Sequence, residues 1–297
     1  MSERATRHPA AGLWLGVAAM GMFGATLPVT RLTLAGGALS PLFVTFGRAV
    51  LAAGLSALFL LAVRARWPAR DEWWPLAVAA TGNAVLYPLG LALALRQQSA
   101  AHVAVITALL PLATAVAAAL SLHAAARGHR RFWLCAAAST ALVLLFSLQR
   151  AAASGDAWQP ALDDLWVALG VAAASVGYVH GARVTRSMGA ERVICWVTLL
   201  TLPVSLPLAA WQAPAAPMTA AQWSGLVYLA TVSMWAAFFA WYRALDWGGP
   251  LRVSQVQAFQ PFFSIALAWP LLGERPDAAT LAFAVAVVAL VALGTRR

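Results

Sequence analysis

The chain has 297 residues, 62% of them hydrophobic and only 10% charged, where an ordinary soluble domain carries roughly a quarter charged residues. All 20 basic side chains are arginine and they outnumber the 10 acids, which gives a formal net charge of +10 and a pI near 11.3. A mean hydropathy of +0.76 excludes a soluble globular protein. The missing lysine excludes Schiff-base chemistry, and no arginine cluster interleaved with stacking aromatics supports nucleic-acid binding.

A membrane-crossing helix needs about 20 apolar residues. Cut at its polar breaks, the chain yields ten such stretches, at 10–34, 40–63, 73–95, 99–122, 131–149, 162–186, 190–211, 221–245, 249–273 and 278–295. The basic MSERATRHPA leads into a first span longer than a signal-peptide core, so it reads as an uncleaved first helix. Alternating the loops places Arg4, Arg7, Arg64, Arg66, Arg70, Arg127, Arg130, Arg131, Arg183, Arg186, Arg192, Arg243, Arg252, Arg296 and Arg297 on one side. Arg31, Arg96, Arg150 and Arg275 fall on the other, with Arg48 inside a helix. Arginine-rich loops remain cytoplasmic, so both termini are expected inside. Trp67, Trp73, Trp74, Trp158, Trp211 and Trp223 sit near helix ends, as interfacial anchors do. Cys135 and Cys195 stand singly in apolar runs without metal or disulfide spacing and read as buried packing residues.

The halves repeat. Shifted by 150 residues, Trp73 falls on Trp223, Ala80–Thr81 on Ala230–Thr231, Val103 on Val253 and Pro111 on Pro261. Shifted by 152, Leu13–Trp14 meets Leu165–Trp166 and Arg31 meets Arg183. Five helices per half is an odd number, so the second half must enter the bilayer from the opposite side. The expected fold is therefore an all-α polytopic membrane protein of ten transmembrane helices in two inverted five-helix repeats. Residues 1–149 form the first repeat, 150–161 a periplasmic linker, and 162–297 the second. Inverted repeats place a site at the midplane between the halves and support alternating access.

Signatures of chemistry are absent. There is no G-x-x-x-x-G-K-[ST] loop, no H-E-x-x-H and no G-x-S-x-G. All ten acids lie in loops or within about a turn of a predicted helix end, and neither His102 nor His180 has an acidic neighbour at i±3 or i±4. No enzyme, cofactor or metal site is expected.

The polar residues inside apolar helices carry the functional expectation. Thr107, Pro111 and Thr114 repeat as Gln257, Pro261 and Ser264, a polar–x3–Pro–x2–hydroxyl pattern on one helical face. Each proline frees the carbonyl four residues before it, and a freed carbonyl in lipid must face protein or a wet cavity. Two readings stand side by side: a cavity wall in which Thr107, Thr114, Gln257 and Gln260 meet substrate and Pro111 and Pro261 act as hinges, or kinked helices glued by polar contacts. Ser254 shares the Gln257 face, whereas Gln255 points elsewhere. Asn83 and Tyr87 lie one turn apart on the third helix, and Ser175 and Tyr178 three apart on the sixth, with His180 nearby. All four of the former are further candidates to contact substrate. Trp235 and Trp241 are possible lining residues. Arg48 is an intramembrane charge and so a functional candidate. Glu274 lies toward the same side and is a conceivable partner, so Arg48, His180 and Glu274 are candidate gate residues.

These features resemble the drug/metabolite transporter superfamily, EamA type, over the whole chain. MFGATLPVTR (22–31) is similar to that family's first-helix run, with Phe23 where tryptophan is usual, and Arg48 in VTFGRAV matches its second-helix arginine. FQPFFSIALAWPLLGERPD (259–277) matches a mid-helix proline and a closing glutamate through Pro261, Gly273 and Glu274. The first half departs, since Glu274 corresponds to Ala124. The resemblance implies a secondary transporter of the bacterial cytoplasmic (inner) membrane, an exporter of amino acids or related metabolites, closest to the aromatic and neutral amino-acid exporters. Its partners would be a small-molecule substrate and the lipid bilayer, with no nucleic acid. Substrate, coupling ion and oligomeric state are left open. So are the rival readings of a non-transporting assembly or signalling protein, an exporter of another neutral metabolite or drug, and a membrane enzyme on lipid-linked substrates.

Overall fold

The computed structural model describes residues 9–121, 130–154, 158–248 and 254–295, and every regular element among them is helical. In chain order these are α1 (Pro9–Gly24), α2 (Thr26–Leu34), α3 (Pro41–Ala62), α4 (Trp73–Ala79), α5 (Tyr87–Ala94), α6 (Ala100–Thr107), α7 (Leu110–Ser121) and α8 (Arg130–Ser154). There follow α9 (Trp158–Met188), α10 (Ala190–Trp211), α11 (Ala220–Tyr228), α12 (Ala237–Gly248), α13 (Gln260–Leu272) and α14 (Ala278–Thr295). Two π-helical turns, Ala80–Leu86 and Leu229–Ala236, join α4 to α5 and α11 to α12, and a 3-10 turn, Ser254–Phe259, leads into α13.

The helix starts follow capping chemistry. Ser40 accepts from the Phe43 N–H at 3.0 Å ahead of Pro41, and Ser99 accepts from the His102 N–H at 3.1 Å. Thr219 and Gln222 form a reciprocal capping box. Gly273, at φ +71°, ends α13 in the left-handed conformation that glycine adopts without a Cβ penalty.

Six helical stretches are long and apolar enough to cross a membrane: Ala10–Leu34, Pro41–Ala62, Trp73–Ala94, Leu162–Thr185, Ala190–Trp211 and Ala220–Trp241. Four shorter apolar helices accompany them, at Ala100–Thr114, Trp133–Gln149, Val256–Leu272 and Ala278–Leu293. Large apolar side chains point outward along these helices, Leu58, Leu61 and Leu148 among them. In water such a surface would aggregate; against lipid it is solvated. Trp67, Trp74 and Trp211 are about three-quarters exposed near helix ends, where an interfacial belt places them. The fold is that of a multi-pass membrane protein.

Several expected spans are not simple rods. The first is interrupted at Ala25, the third and eighth by the π turns, and the fourth between Thr107 and Leu110. The stretch 150–161, expected as a linker, is helical through Ser154 and again from Trp158. Its alanine-rich composition propagates helix past the apolar span. Residues 155–157, Ala124, and the side chains of Trp158, Ser254 and Gln255 lie outside the described residues.

Packing joins the two halves of the chain at every level. α1 and α2 lie against α12 and α11, α3 against α10, α4 and α5 against α9, α6 against α13, and α8 against α14. Buried apolar side chains form a main cluster around α2, α6, α9, α13 and α14, and a second around α3, α4, α10 and the Leu229–Ala236 turn. Cys195 is fully buried in the second cluster, while Cys135 is only half-buried.

Candidate functional site

The two proline-bearing helices break at equivalent points. In the first half α6 stops at Thr107 and α7 begins at Leu110; in the second, the 3-10 turn stops at Phe259 and α13 begins at Gln260. Leu110 and Gln260 are 150 residues apart, the offset of the sequence repeat. Proline at the second position of each new helix needs no N–H donor there and sets φ for helix. It therefore starts a helix rather than kinking one. Thr107, Pro111, Gln257, Gln260 and Pro261 come together around a crevice of about 20 Å3, closed by Val288 and Val291 of α14. That is room for about one water. Thr107 is buried and its hydroxyl turns back to the Ala104 carbonyl at 3.1 Å, whereas Gln257 and Gln260 are half-buried.

Thr114 sits elsewhere. Its hydroxyl donates to the Leu110 carbonyl at 2.8 Å and lies 3.4 Å from the Ser175 hydroxyl of α9. Ser175, which itself donates to Val171 at 2.7 Å, edges an apolar cavity of about 390 Å3. Ile106, Leu109, Val116 and Val171 line its walls. Ser264, the counterpart of Thr114, donates to the Gly24 carbonyl at 2.8 Å and ties α13 to the first helix. Gly24 meets α13 so closely that an added Cβ would fall 2.5 Å from Phe263 Cβ.

Asn83 and Tyr87 face α9 rather than the crevice. An added Cβ on Gly177 would lie 2.7 Å from Asn83 Oδ1, and one on Gly170 would touch the Tyr87 backbone at 3.3 Å. Asn83 Oδ1 is buried without a hydrogen bond. Arg48 of α3 is 6% exposed, and its Nε is likewise without a hydrogen bond. Asn83 and Tyr87 thus lie where the third helix crosses α9. Tyr178 packs on the main apolar cluster. His180 is half-exposed and donates through Nδ1 to the Val176 carbonyl at 2.9 Å. Trp241 is buried with Ala19 and Met20, and Trp235 meets Phe59 edge to face and Phe239 at a tilt, so both act in packing.

Glu274 pairs with Arg31, not with Arg48: Arg31 Nε lies 2.6 Å from Glu274 Oε1, and Glu274 Oε2 accepts the Ala100 N–H at 2.9 Å. Arg31 also donates to the Leu95 and Gln98 carbonyls. Gln98 in turn donates to Asp163 at 3.2 Å, and His102 Nε2 lies 2.6 Å from Asp164 Oδ1. At the opposite end, Glu72 takes hydrogen bonds from Ser187, the Ala69 N–H at 2.8 Å and Arg66 at 2.9 Å. Burial opposes ionisation of Glu72, but these donors outweigh it and hold its carboxyl below the usual value of 4.5.

His102 has no acidic neighbour at i±3 or i±4 along its helix, and its acidic partner in space, Asp164, comes from the other half of the chain. Gln98, Asp163 and Asp164 were not singled out from the sequence, and Arg31 only as a repeat and motif position. The available signal was their shared side in the loop alternation. Among the described residues no group of three or more His, Cys, Asp and Glu is arranged to hold a metal ion.

Broken helices around polar crevices, within a lipid-facing bundle, define a multi-pass membrane protein of transporter type. The profile of the EamA-like transporter family matches the chain twice, over residues 10–148 and 162–295, and the chain belongs to that family. It is 36% identical over 285 residues to the "Uncharacterized transporter YdeK" of Bacillus subtilis (strain 168), covering 93% of each chain. A solved crystal structure, 20% identical, superposes with a TM-score of 0.65 over 96% of each chain and shares the fold.

Proposed function

We propose that the protein is a secondary transporter of the bacterial inner membrane that exports small neutral or zwitterionic metabolites, amino acids foremost. It would work by alternating access between two inverted five-helix halves. The observation that carries this reading is the crevice at Thr107, Pro111, Gln257, Gln260 and Pro261, where both halves contribute a helix break at the same repeat position. Helix ends that meet at mid-depth expose backbone groups that a substrate can replace.

Further support comes from the packing. If the first to fifth spans correspond to the sixth to tenth, the contacts of α3 with α10, α6 with α13, and α8 with α14 each join counterparts. The contact of α1 with α12 and that of α5 with α9 exchange with one another. The π turns at Ala80–Leu86 and Leu229–Ala236 also correspond. A two-fold axis in the membrane plane would produce this pattern. The amide and hydroxyl groups without an acid at the crevice suit a solute of no net charge, while the 390 Å3 cavity beside Ser175 suits an apolar side chain.

The test is uptake of a labelled amino-acid panel into proteoliposomes holding the full chain. Saturable uptake of at least one amino acid, reduced by Gln257→Ala, is expected. Failure of every amino acid to be taken up or to compete overturns the substrate class. Uptake untouched by Gln257→Ala overturns the site.

A further inference from the structure

At the end of the bundle that the arginine count places outside, three carboxylates of the second half meet donors of the first. Asp163 accepts from Gln98, Asp164 faces His102, and Glu274 accepts from the Ala100 N–H and pairs ionically with Arg31. The donors Gln98, Ala100 and His102 all belong to the first turn of α6 or the residues just before it, so this single short helix is held by its N-terminus. The same helix ends at Thr107, on the crevice.

We propose that His102 and Asp164 form a proton-binding site that latches the outer end of α6, so that proton occupancy sets whether the crevice opens to the outside. The proposal rests on reading the chain as a transporter whose two ends open in turn. The side chains of His102 and Asp164 are 4% and 8% exposed and 2.6 Å apart. Phe146 of α8 stacks on the imidazole at 4.9 Å, and Phe283 of α14 lies 5.0 Å beyond. In such an apolar box a charged pair is stable only while both charges are present.

The charges around the pair decide the sign. α9 presents Asp163 and Asp164, Glu274 and Arg275 follow the Gly273 cap of α13, α2 presents Arg31, and Arg96 just before α6 is exposed. Arg275 is exposed and lies over Trp269, 5.8 Å from the ring. α14 brings Phe283, and Asp277 before it is spent on the Thr280 N–H at 2.7 Å. Three carboxylates thus face one inward arginine and the partial positive charge of a helix N-terminus. A proton on His102 comes close to neutralising the cluster. Its loss leaves Asp164 a buried anion without its counter-charge, held by one hydrogen bond from a neutral ring, with Oδ2 already unpaired. The carboxylate then gains by reaching water, which separates α6 from α9. Acid closes the latch and alkali opens it, through the titration of an imidazole.

The test uses the full chain in nanodiscs with Cys135→Ala and Cys195→Ala. Spin labels are placed at the exposed outer positions Gln97→Cys, just before α6, and Leu162→Cys, on α9, and the distance distribution is followed from acid to alkali. A longer distance is expected to gain population as pH rises, changing the open-to-closed ratio about tenfold for each unit by which the pair's proton affinity differs between the two states. His102→Gln, which keeps a hydrogen bond but cannot titrate, and Asp164→Asn are expected to flatten the profile. His180→Gln is expected to leave it unchanged.

A distribution independent of pH in the unsubstituted chain overturns the proposal, as does an unchanged profile in His102→Gln. Should both latch variants fail to fold, 15N-histidine spectra of the otherwise native chain decide: the His102 ring must titrate with the midpoint of the distance change, and a separate midpoint overturns the latch. Transport with a pH-independent outer distance would sink the latch and leave the function standing. A pH-dependent distance in a chain that moves no amino acid would do the reverse.

Discussion

Gly90→Ala tests how closely the two halves are pressed together at the third helix. An ideal Cβ on Gly90 would lie 2.4 Å from the Trp166 carbonyl oxygen of α9, and one on Gly82 2.3 Å from that of Ala173. Carbon–oxygen contacts sit at about 3.3–3.6 Å, so α5 and α9 would have to separate by about 1 Å. Both obstructing atoms are backbone and cannot rotate away. Overpacking of this kind costs about 1–3 kcal/mol, set against about 1 kcal/mol gained by replacing glycine in a helix. Gly54→Ala is the control, because a Cβ there meets nothing within 4 Å. The propensity gain is common to both variants, so their difference isolates the clash: about 1–3 kcal/mol, or about 5- to 160-fold in the unfolding equilibrium. Reversible unfolding of purified protein in mixed micelles, read by tryptophan fluorescence, measures it. If Gly90→Ala is as stable as Gly54→Ala, the helix contact is looser than argued here, and the placement of Asn83 and Tyr87 against α9 falls with it.

Three further outcomes are expected. The Glu72 carboxyl is held below its ordinary value, so its stabilising contribution is present at neutral pH and is lost as pH falls through the depressed value; Glu72→Gln should therefore flatten the acid limb of a stability–pH profile. Removing one partner of the Arg31–Glu274 ion pair, through Arg31→Gln or Glu274→Gln, should cost about 1 kcal/mol, as for a partly exposed pair, and a double-mutant cycle should show coupling, which would vanish if the pair were incidental. In the transport assay, Thr107→Val should act less severely than Gln257→Ala, because the Thr107 hydroxyl is already engaged by Ala104 and the glutamine amide faces the crevice; equal loss would contradict that ranking.

The break at Ala25 and the two π turns were not legible in the residues themselves, whereas the membrane character, the apolar spans and the two proline positions were. Each depends on local composition or on chain-local chemistry: apolar length, capping serines, and a proline that cannot donate. Pro111 and Pro261 were read as kinks within helices, yet they open new ones, because proline is as well suited to a first turn as it is unsuited to a later one. Thr107, Gln257 and Gln260 do share a crevice. Asn83, Tyr87 and Ser175 do not join it, since one helical face cannot report which neighbour it meets.

What the sequence alone determined is therefore the class of molecule, its repeat period of 150 residues and the family it resembles. These follow from composition and spacing, which act over a turn or a span. Only the tertiary structure decided which charges meet. Arg31 and Glu274, or His102 and Asp164, are joined by no periodicity, being 243 and 62 residues apart. In a medium that solvates no lone ion, buried charges must find partners, but which partner is set by how the helices cross. That crossing is a property of the packed bundle rather than of any segment within it.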